Sequence, residues 1–261
     1  MISLLGRSVL VTGGGSGLGA ATARVLAAHG ARVTVVDAQQ EPANEKRGTA
    51  ETSEKGVVMR VRADVTQETE VVAAIRAATD AFGPLFGVVN CAGISPPARV
   101  VGKNGACPLE KFERVIKVNL IGTFNVCRLA AEEMIKNNVA ETEDRGVIVN
   151  TASIAAYDGQ IGQVAYAASK GGIVSMTLPL ARDLASHRIR VNTICPGVMA
   201  TPMVLEKMSS AVRESLEMTV PYPRRLGDPS EFAALVHHIM VNRYINGECI
   251  RLDGGLRMQP K

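Results

Sequence analysis

The sequence predicts an α/β fold in a single domain, a parallel sheet with helices on both faces. Three observations carry that reading. Short apolar runs alternate with helix-length runs along all 261 residues, with no linker, repeat or low-complexity tract between them. The apolar runs lack a polar/apolar alternation, as strands buried on both faces do. The first of them passes straight into a glycine-rich turn and a helix. A chain of this length can bury one substantial core.

Taken in order, residues 8–12 form the first strand, and Gly13-Gly-Gly-Ser-Gly-Leu-Gly19 is a turn. The Ala-rich run after it predicts a helix over 18–29. Further strands are expected at 32–37, 57–62, 86–91, 146–152, 189–195 and 248–252. Further helices are expected at 67–82, 109–136, 163–186 and 229–241. The segment 40–55 reads as a shorter polar helix interrupted by Pro42, and Pro179 is expected to kink or end the helix that contains it. Gly171 and Gly172 suit a close approach of that helix to another, as across a subunit interface. Three loops exceed what connection needs: 95–108, 137–145 and 199–229. The first and third follow the carboxyl ends of strands, where open α/β sheets bind ligands. The third holds Met199, Met203, Met208 and Met218, so it reads either as an apolar lid or as packing against the sheet.

The turn Gly13-x-x-x-Gly17-x-Gly19 between strand and helix is suited to a pyrophosphate. Glycine lets the backbone approach, and the helix N-terminus offers free N–H groups and a partial positive charge. Asp37 closes the next strand, where a carboxylate meets ribose hydroxyls and repels a 2′-phosphate. Ala38, Gln39 and Gln40 follow it, and the turn itself holds no basic residue. These residues predict NAD(H) rather than NADP(H) as cofactor.

Tyr166 and Lys170 stand four residues apart, on one face of a predicted helix. A phenol titrates near pKa ~10 and is a poor base at neutral pH. A neighbouring cation typically lowers an acid's pKa by ~1–3 units. Ser153, just past the strand 146–152, can aim a hydroxyl at the same point. Alone, a Tyr-x-x-x-Lys pair recurs by chance on helix surfaces. The glycine turn and Ser153 give it weight.

Composition excludes more than it selects. The longest apolar run is too short to span a membrane, and the first strand begins too early to leave room for a secretory signal. Five unclustered cysteines (Cys91, Cys107, Cys127, Cys195, Cys249) fit reduced thiols in a cytoplasm-like compartment, with the mitochondrial matrix as the eukaryotic counterpart. The four histidines lack metal-ligand spacing, so no metal site is expected. A net charge of +4 without a basic stripe, and no tryptophan, argue against nucleic acid and suit an anionic small molecule.

Gly13-x-x-x-Gly17-x-Gly19, Asn90-Cys-Ala-Gly93, Asn119, Ser153, Tyr166-x-x-x-Lys170 and Pro196-Gly197 occur in one order across the chain. This combination resembles the short-chain dehydrogenase/reductase family. The resemblance implies a Rossmann fold with a seven-stranded parallel sheet of order 3-2-1-4-5-6-7 over residues 1–261, usually in a homotetramer. It implies a catalytic set of Asn119, Ser153, Tyr166 and Lys170, with Asn119 holding a water that links Lys170 to solvent. It further implies that Ser153 and Tyr166 bind the substrate. The dinucleotide would lie against Gly13, Ser16, Gly17, Leu18, Gly19, Asp37, Asp64, Val65, Asn90, Cys91, Ala92, Gly93, Tyr166, Lys170, Pro196, Gly197, Met199 and Thr201. Arg145-Gly-Val-Ile-Val-Asn-Thr-Ala-Ser153, Arg225-Leu-Gly-Asp-Pro229 and the ending Arg251-Leu-Asp-Gly-Gly-Leu-Arg-Met-Gln-Pro260 are similar to the family's 3-hydroxyacyl-CoA dehydrogenase branch. That implies an acyl-CoA substrate and a place in fatty-acid metabolism. Two alternatives stay open at this point: a hydroxysteroid or other secondary-alcohol dehydrogenase, and a non-catalytic scaffold or RNA-processing subunit.

Overall fold

The computed structural model describes residues 2–39, 51–52, 56–205 and 209–260. Along the chain lie β1 (Ser8–Thr12), α1 (Gly17–Ala28), β2 (Arg32–Asp37), β3 (Glu51–Thr52), β4 (Val57–Arg62), α2 (Glu68–Phe82) and β5 (Leu85–Asn90). A short hairpin, β6 (Val101–Gly102) and β7 (Gly105–Ala106), precedes α3 (Leu109–Ile116) and α4 (Gly122–Ile135). The second half holds β8 (Gly146–Thr151), α5 (Val164–Ala185), β9 (Ile189–Pro196), α6 (Pro202–Leu205), α7 (Ser210–Thr219), α8 (Pro229–Val241) and β10 (Cys249–Leu252).

The main sheet runs β10-β9-β8-β5-β1-β2-β4-β3. Its first seven members pair in parallel, which is the order expected from the family resemblance. The eighth was not foreseen. Glu51 and Thr52 pair antiparallel with Val58 and Val57, so this part of the predicted 40–55 helix is an edge strand; the remainder of that expectation lies outside the described residues.

Alternation of side chains along each strand explains why both faces are apolar. Val9, Val11, Val33, Val35, Val147 and Val149 point to one face, where Leu26 of α1 and Phe232, Val236 and Ile239 of α8 cover them. Leu10, Val36, Val88, Ile148 and Val191 point to the other, beneath Val71 and Ile75 of α2 and Val126, Leu129 and Met134 of α4. Local chemistry fixes the helix ends. Asp228 and Glu231 form a reciprocal cap around Pro229 at the start of α8. At its other end the buried Arg190 guanidinium donates to the carbonyls of Ile239 and Met240, at 2.9 Å each, and pairs with Asp144. His29 and His237 stack at 3.9 Å between α1 and α8, a packing role.

Two helical expectations need correction. The predicted helix 109–136 is two α-helices joined by a π turn, Lys117–Ile121. The hydrophobic pattern of one extra residue per turn is too close to that of an α-helix to be read from sequence. Pro179 does not end its helix: α5 runs unbroken from Val164 to Ala185. Gly172 does make a close approach, but within the chain, since a Cβ there would stand 2.7 Å from the Leu120 side chain; Gly171 faces open space.

Candidate active site

The functional residues gather beyond the carboxyl ends of β1, β2, β5, β8 and β9. At the end of β1, Gly13 has φ +63° and a Cβ there would stand 2.6 Å from the Ala92 nitrogen, so only glycine fits. Gly19 packs equally closely on the Gly13 carbonyl. These contacts draw the turn tight and leave the α1 N-terminus open, with Ser16 as its N-cap residue and exposed. Leu18 packs into the core beneath, and the Thr201 side chain lies 3.3 Å from where a Cβ on Gly17 would be. Thr201 is thereby brought to the turn from the opposite side of the cleft.

Asp37 faces the turn directly. Its Oδ2 accepts from the Gly15 N–H at 3.0 Å and its Oδ1 from the Gln39 N–H at 3.0 Å. One basic group escaped the sequence reading. Arg62, the register partner of Asp37 on β4, donates from Nε to the Ala38 carbonyl at 3.4 Å. Strand pairing alone brings it there, and Asp37 still holds the position against the turn. Asp64 accepts from the Thr66 N–H at 2.8 Å, and Val65 is buried against Gly122.

Two of the residues expected at a cofactor are struts through their side chains. Asn90 is buried, donating to Asn150 Oδ1 at 2.9 Å and facing Thr12. Met199 is buried in the core against Gly227, so only its backbone can face the cleft. From Asn90 the chain continues through Cys91, which accepts from the Thr151 hydroxyl at 3.5 Å, and Ala92, whose N–H donates to Thr12 Oγ1 at 3.3 Å. It reaches Gly93, where a Cβ would stand 3.3 Å from Asn119 Oδ1 and 3.6 Å from Lys170 Nζ. Pro196 ends β9, and the Gly197 N–H donates to the Leu252 carbonyl at 2.9 Å.

The remaining four residues converge. Ser153, nearly buried, caps the short turn Ile154–Ala156, its Oγ accepting from the Ala155 N–H at 3.1 Å. Tyr166 neighbours Ser153, whose hydroxyl favours the phenolate. Lys170 is buried, its Nζ donating to the Thr151 carbonyl at 2.7 Å and standing 5.7 Å from the centre of the Tyr166 ring. Asn119, at the middle of the π turn, locks Ile94 on both sides: its Oδ1 accepts from the Ile94 N–H at 2.8 Å, and its Nδ2 donates to the Ile94 carbonyl at 2.9 Å. Its Nδ2 also donates to Ser169 Oγ at 3.0 Å, beside Lys170. Thr151 and Ser169 were missed by sequence reasoning. Both neighbour singled-out residues, which was the available signal.

Electrostatics depart from the simple expectation. Burial lowers the Lys170 pKa to about 8. Burial also pushes the Tyr166 phenol above its ordinary value, while the hydrogen bond with Ser153 acts the other way. Burial holds three thiols protonated: it raises Cys91 and Cys195 to about 11 and Cys127 to about 12. All five cysteines are unpaired.

A tight glycine turn, a carboxylate facing it, and a serine–tyrosine–lysine cluster thus share one cleft. A model of the short chain dehydrogenase family matches residues 7–211. The chain belongs to that family. It is 50% identical over 260 residues to a 3-hydroxyacyl-CoA dehydrogenase type-2 of Bos taurus, covering 99% of this chain and 98% of the other. It is 51% identical over 253 residues to the protein of that name from Drosophila melanogaster, covering 96% and 97%. A crystal structure of 3-hydroxyacyl-CoA dehydrogenase type-2 from Mycobacterium avium superposes with a TM-score of 0.89 at 41% identity, over 100% of both chains.

The residues present fit NAD(H). The glycine cradle would be filled by any Cβ, and the carboxylate stands where ribose hydroxyls are recognised. Gly15 supplies a test, since an added Cβ would stand 2.9 Å from Asp37 Oδ2 and displace it. Gly15→Ala is expected to weaken NADH binding about ten-fold, ~1.4 kcal/mol, in a fluorescence titration of folded protein. Unchanged affinity would show that Asp37 does not need its seat on the turn.

Proposed function

We propose that the protein oxidises L-3-hydroxyacyl-CoA thioesters reversibly to 3-oxoacyl-CoA with NAD+. The observation that carries this reading is full-length similarity, near 50% identity, to relatives that bear that activity in their names. The site chemistry supports it. When bound, NAD+ supplies the hydride acceptor and a positive charge that favours a nearby phenolate. Tyr166 takes the proton of the substrate hydroxyl. Ser153 donates a hydrogen bond to the same oxygen as it becomes a ketone. Lys170 stays cationic up to about pH 8 and holds positive charge beside the tyrosine, pinned by the Thr151 carbonyl. Asn119, fixed by Ile94 and Ser169, keeps the proton's exit past Lys170 in place.

The acyl-CoA thioester enters between the hairpin β6–β7 and the α6–α7 segment, which both leave the carboxyl edge of the sheet. The working form is a homotetramer. Exposed Ile121 and Phe124 at the start of α4, and Val164 at the start of α5, support association through that side. Sedimentation equilibrium is expected to give the mass of four chains; a monomer at micromolar concentration would contradict it.

Tyr166→Phe is expected to lower kcat for NADH-dependent reduction of acetoacetyl-CoA at least about a hundred-fold while leaving NADH affinity nearly intact. Turnover within a few-fold of wild type would remove Tyr166 from the mechanism. A higher kcat/KM on a hydroxysteroid than on acetoacetyl-CoA would replace the substrate class.

A further inference from the structure

Arg251 stands where three segments of the site meet, and its guanidinium is engaged through Nε and Nη2. It lies on β10 opposite Cys195 of β9, with only 21% of its side chain exposed. Its Nη2 donates to Asp158 Oδ2 at 2.7 Å and to the Leu256 carbonyl at 2.9 Å. Its Nε donates to Asp253 Oδ2 at 2.7 Å, and its plane lies 5.4 Å from the centre of the Tyr157 ring. Tyr157 and Asp158 are the residues that close the turn capped by Ser153, since the N–H of each donates to the Ile154 carbonyl at 2.9 Å. Asp253 packs on Gly197, where a Cβ would stand 2.9 Å from its Cα.

The C-terminal segment held by this clamp also has an apolar side. Leu256 packs with Ile154, the residue after Ser153, and with Val220 at the end of α7; Val198 and Met258 complete the cluster. The Tyr222 N–H donates to the Gly254 carbonyl at 3.3 Å. One seat thus supports the serine turn, the loop after β9 and the far base of the α6–α7 segment. To these apolar contacts and backbone bonds the pair Arg251–Asp158 adds a directional tie on the serine turn.

We propose that Arg251 is a positioning residue for the reaction: by clamping Asp158 against the C-terminal segment, it holds the Ser153 hydroxyl in register with Tyr166. This rests on the dehydrogenase reading above. A guanidinium is suited to the task because its planar fork sets direction as well as charge, with Nε on Asp253 and Nη2 on Asp158.

The test is a double-mutant cycle on NADH-dependent acetoacetyl-CoA reduction, with Arg251→Met and Ser153→Ala alone and together. Arg251→Met is expected to lower kcat about ten-fold, with the KM for NADH changed less than about two-fold. In the Ser153→Ala background the same substitution is expected to change kcat less than about two-fold, because the residue it acts through is gone. Equal losses in both backgrounds, or no loss in either, would overturn the proposal. Should Arg251→Met not fold, Asp158→Ala removes the other half of the clamp, leaves the bonds from Arg251 to Asp253 and Leu256, and carries the same expectations. A second readout needs no substrate. Losing the hydrogen bond from Ser153 is expected to raise the Tyr166 phenol further in an ultraviolet titration of Arg251→Met against wild type. An unshifted phenol would reject the clamp even if acetoacetyl-CoA proved not to be a substrate.

Discussion

One buried cation organises this molecule. The Lys170 ammonium is removed from water and, among the described residues, given one acceptor, the carbonyl at the carboxyl end of β8. Burying a charge is costly unless its environment is built to receive it, and several features follow from that need. Thr151 must end its strand at the height of the lysine. Gly93 must lack a side chain, since a Cβ would crowd both Lys170 and Asn119. Asn119 must reach the Ile94 backbone, and the π turn places it there while α3 and α4 continue on either side. Extra turns of this kind recur at functional sites because they re-aim one residue without breaking the helix.

The sheet divides the work. Strands β1, β2 and β4 present a glycine turn and a carboxylate, both defined by backbone proximity rather than by long side chains. Strands β5, β8 and β9 present the polar cluster, in which nearly every group is satisfied within the protein. The two halves meet where Gly13 packs on Ala92 and Thr201 approaches Gly17. A cofactor bound across that seam would therefore touch both halves, and the β1–β5 pairing at the centre of the sheet fixes their separation. The Asn90–Asn150 strut beneath the seam holds β5 and β8 in register at the same level.

Much of this was legible in the sequence, for physical reasons that differ by element. The strands showed because a doubly buried strand must be apolar throughout. The glycine turn showed because its spacing reflects backbone contacts that no other residue allows. Tyr166 and Lys170 showed through helical spacing. What did not show depends on tertiary register or on small differences in helical winding. Arg62 reaches the end of β2 only through strand pairing, and Asn90 and Met199 keep their places in the sequence pattern while turning their side chains into the structure. Lys117–Ile121 has an α-helical composition and a π geometry. Pro179 sits inside an intact helix because packing overrides a local penalty. Spacing reveals that a cation is near Tyr166, but not how far the phenol is buried, and burial raises it.

The site depends on Lys170 as a buried ammonium whose proton is loosened by desolvation while it remains charged at neutral pH. Nuclear magnetic resonance of protein labelled with 13C at lysine Cε, with Lys170→Arg to assign the signal, measures this directly. The account predicts a titration midpoint at about 8. A midpoint near the ordinary lysine value, ~10.4, would mean that the ammonium is solvated and that the arrangement around Thr151, Asn119 and Tyr166 does not hold a buried charge.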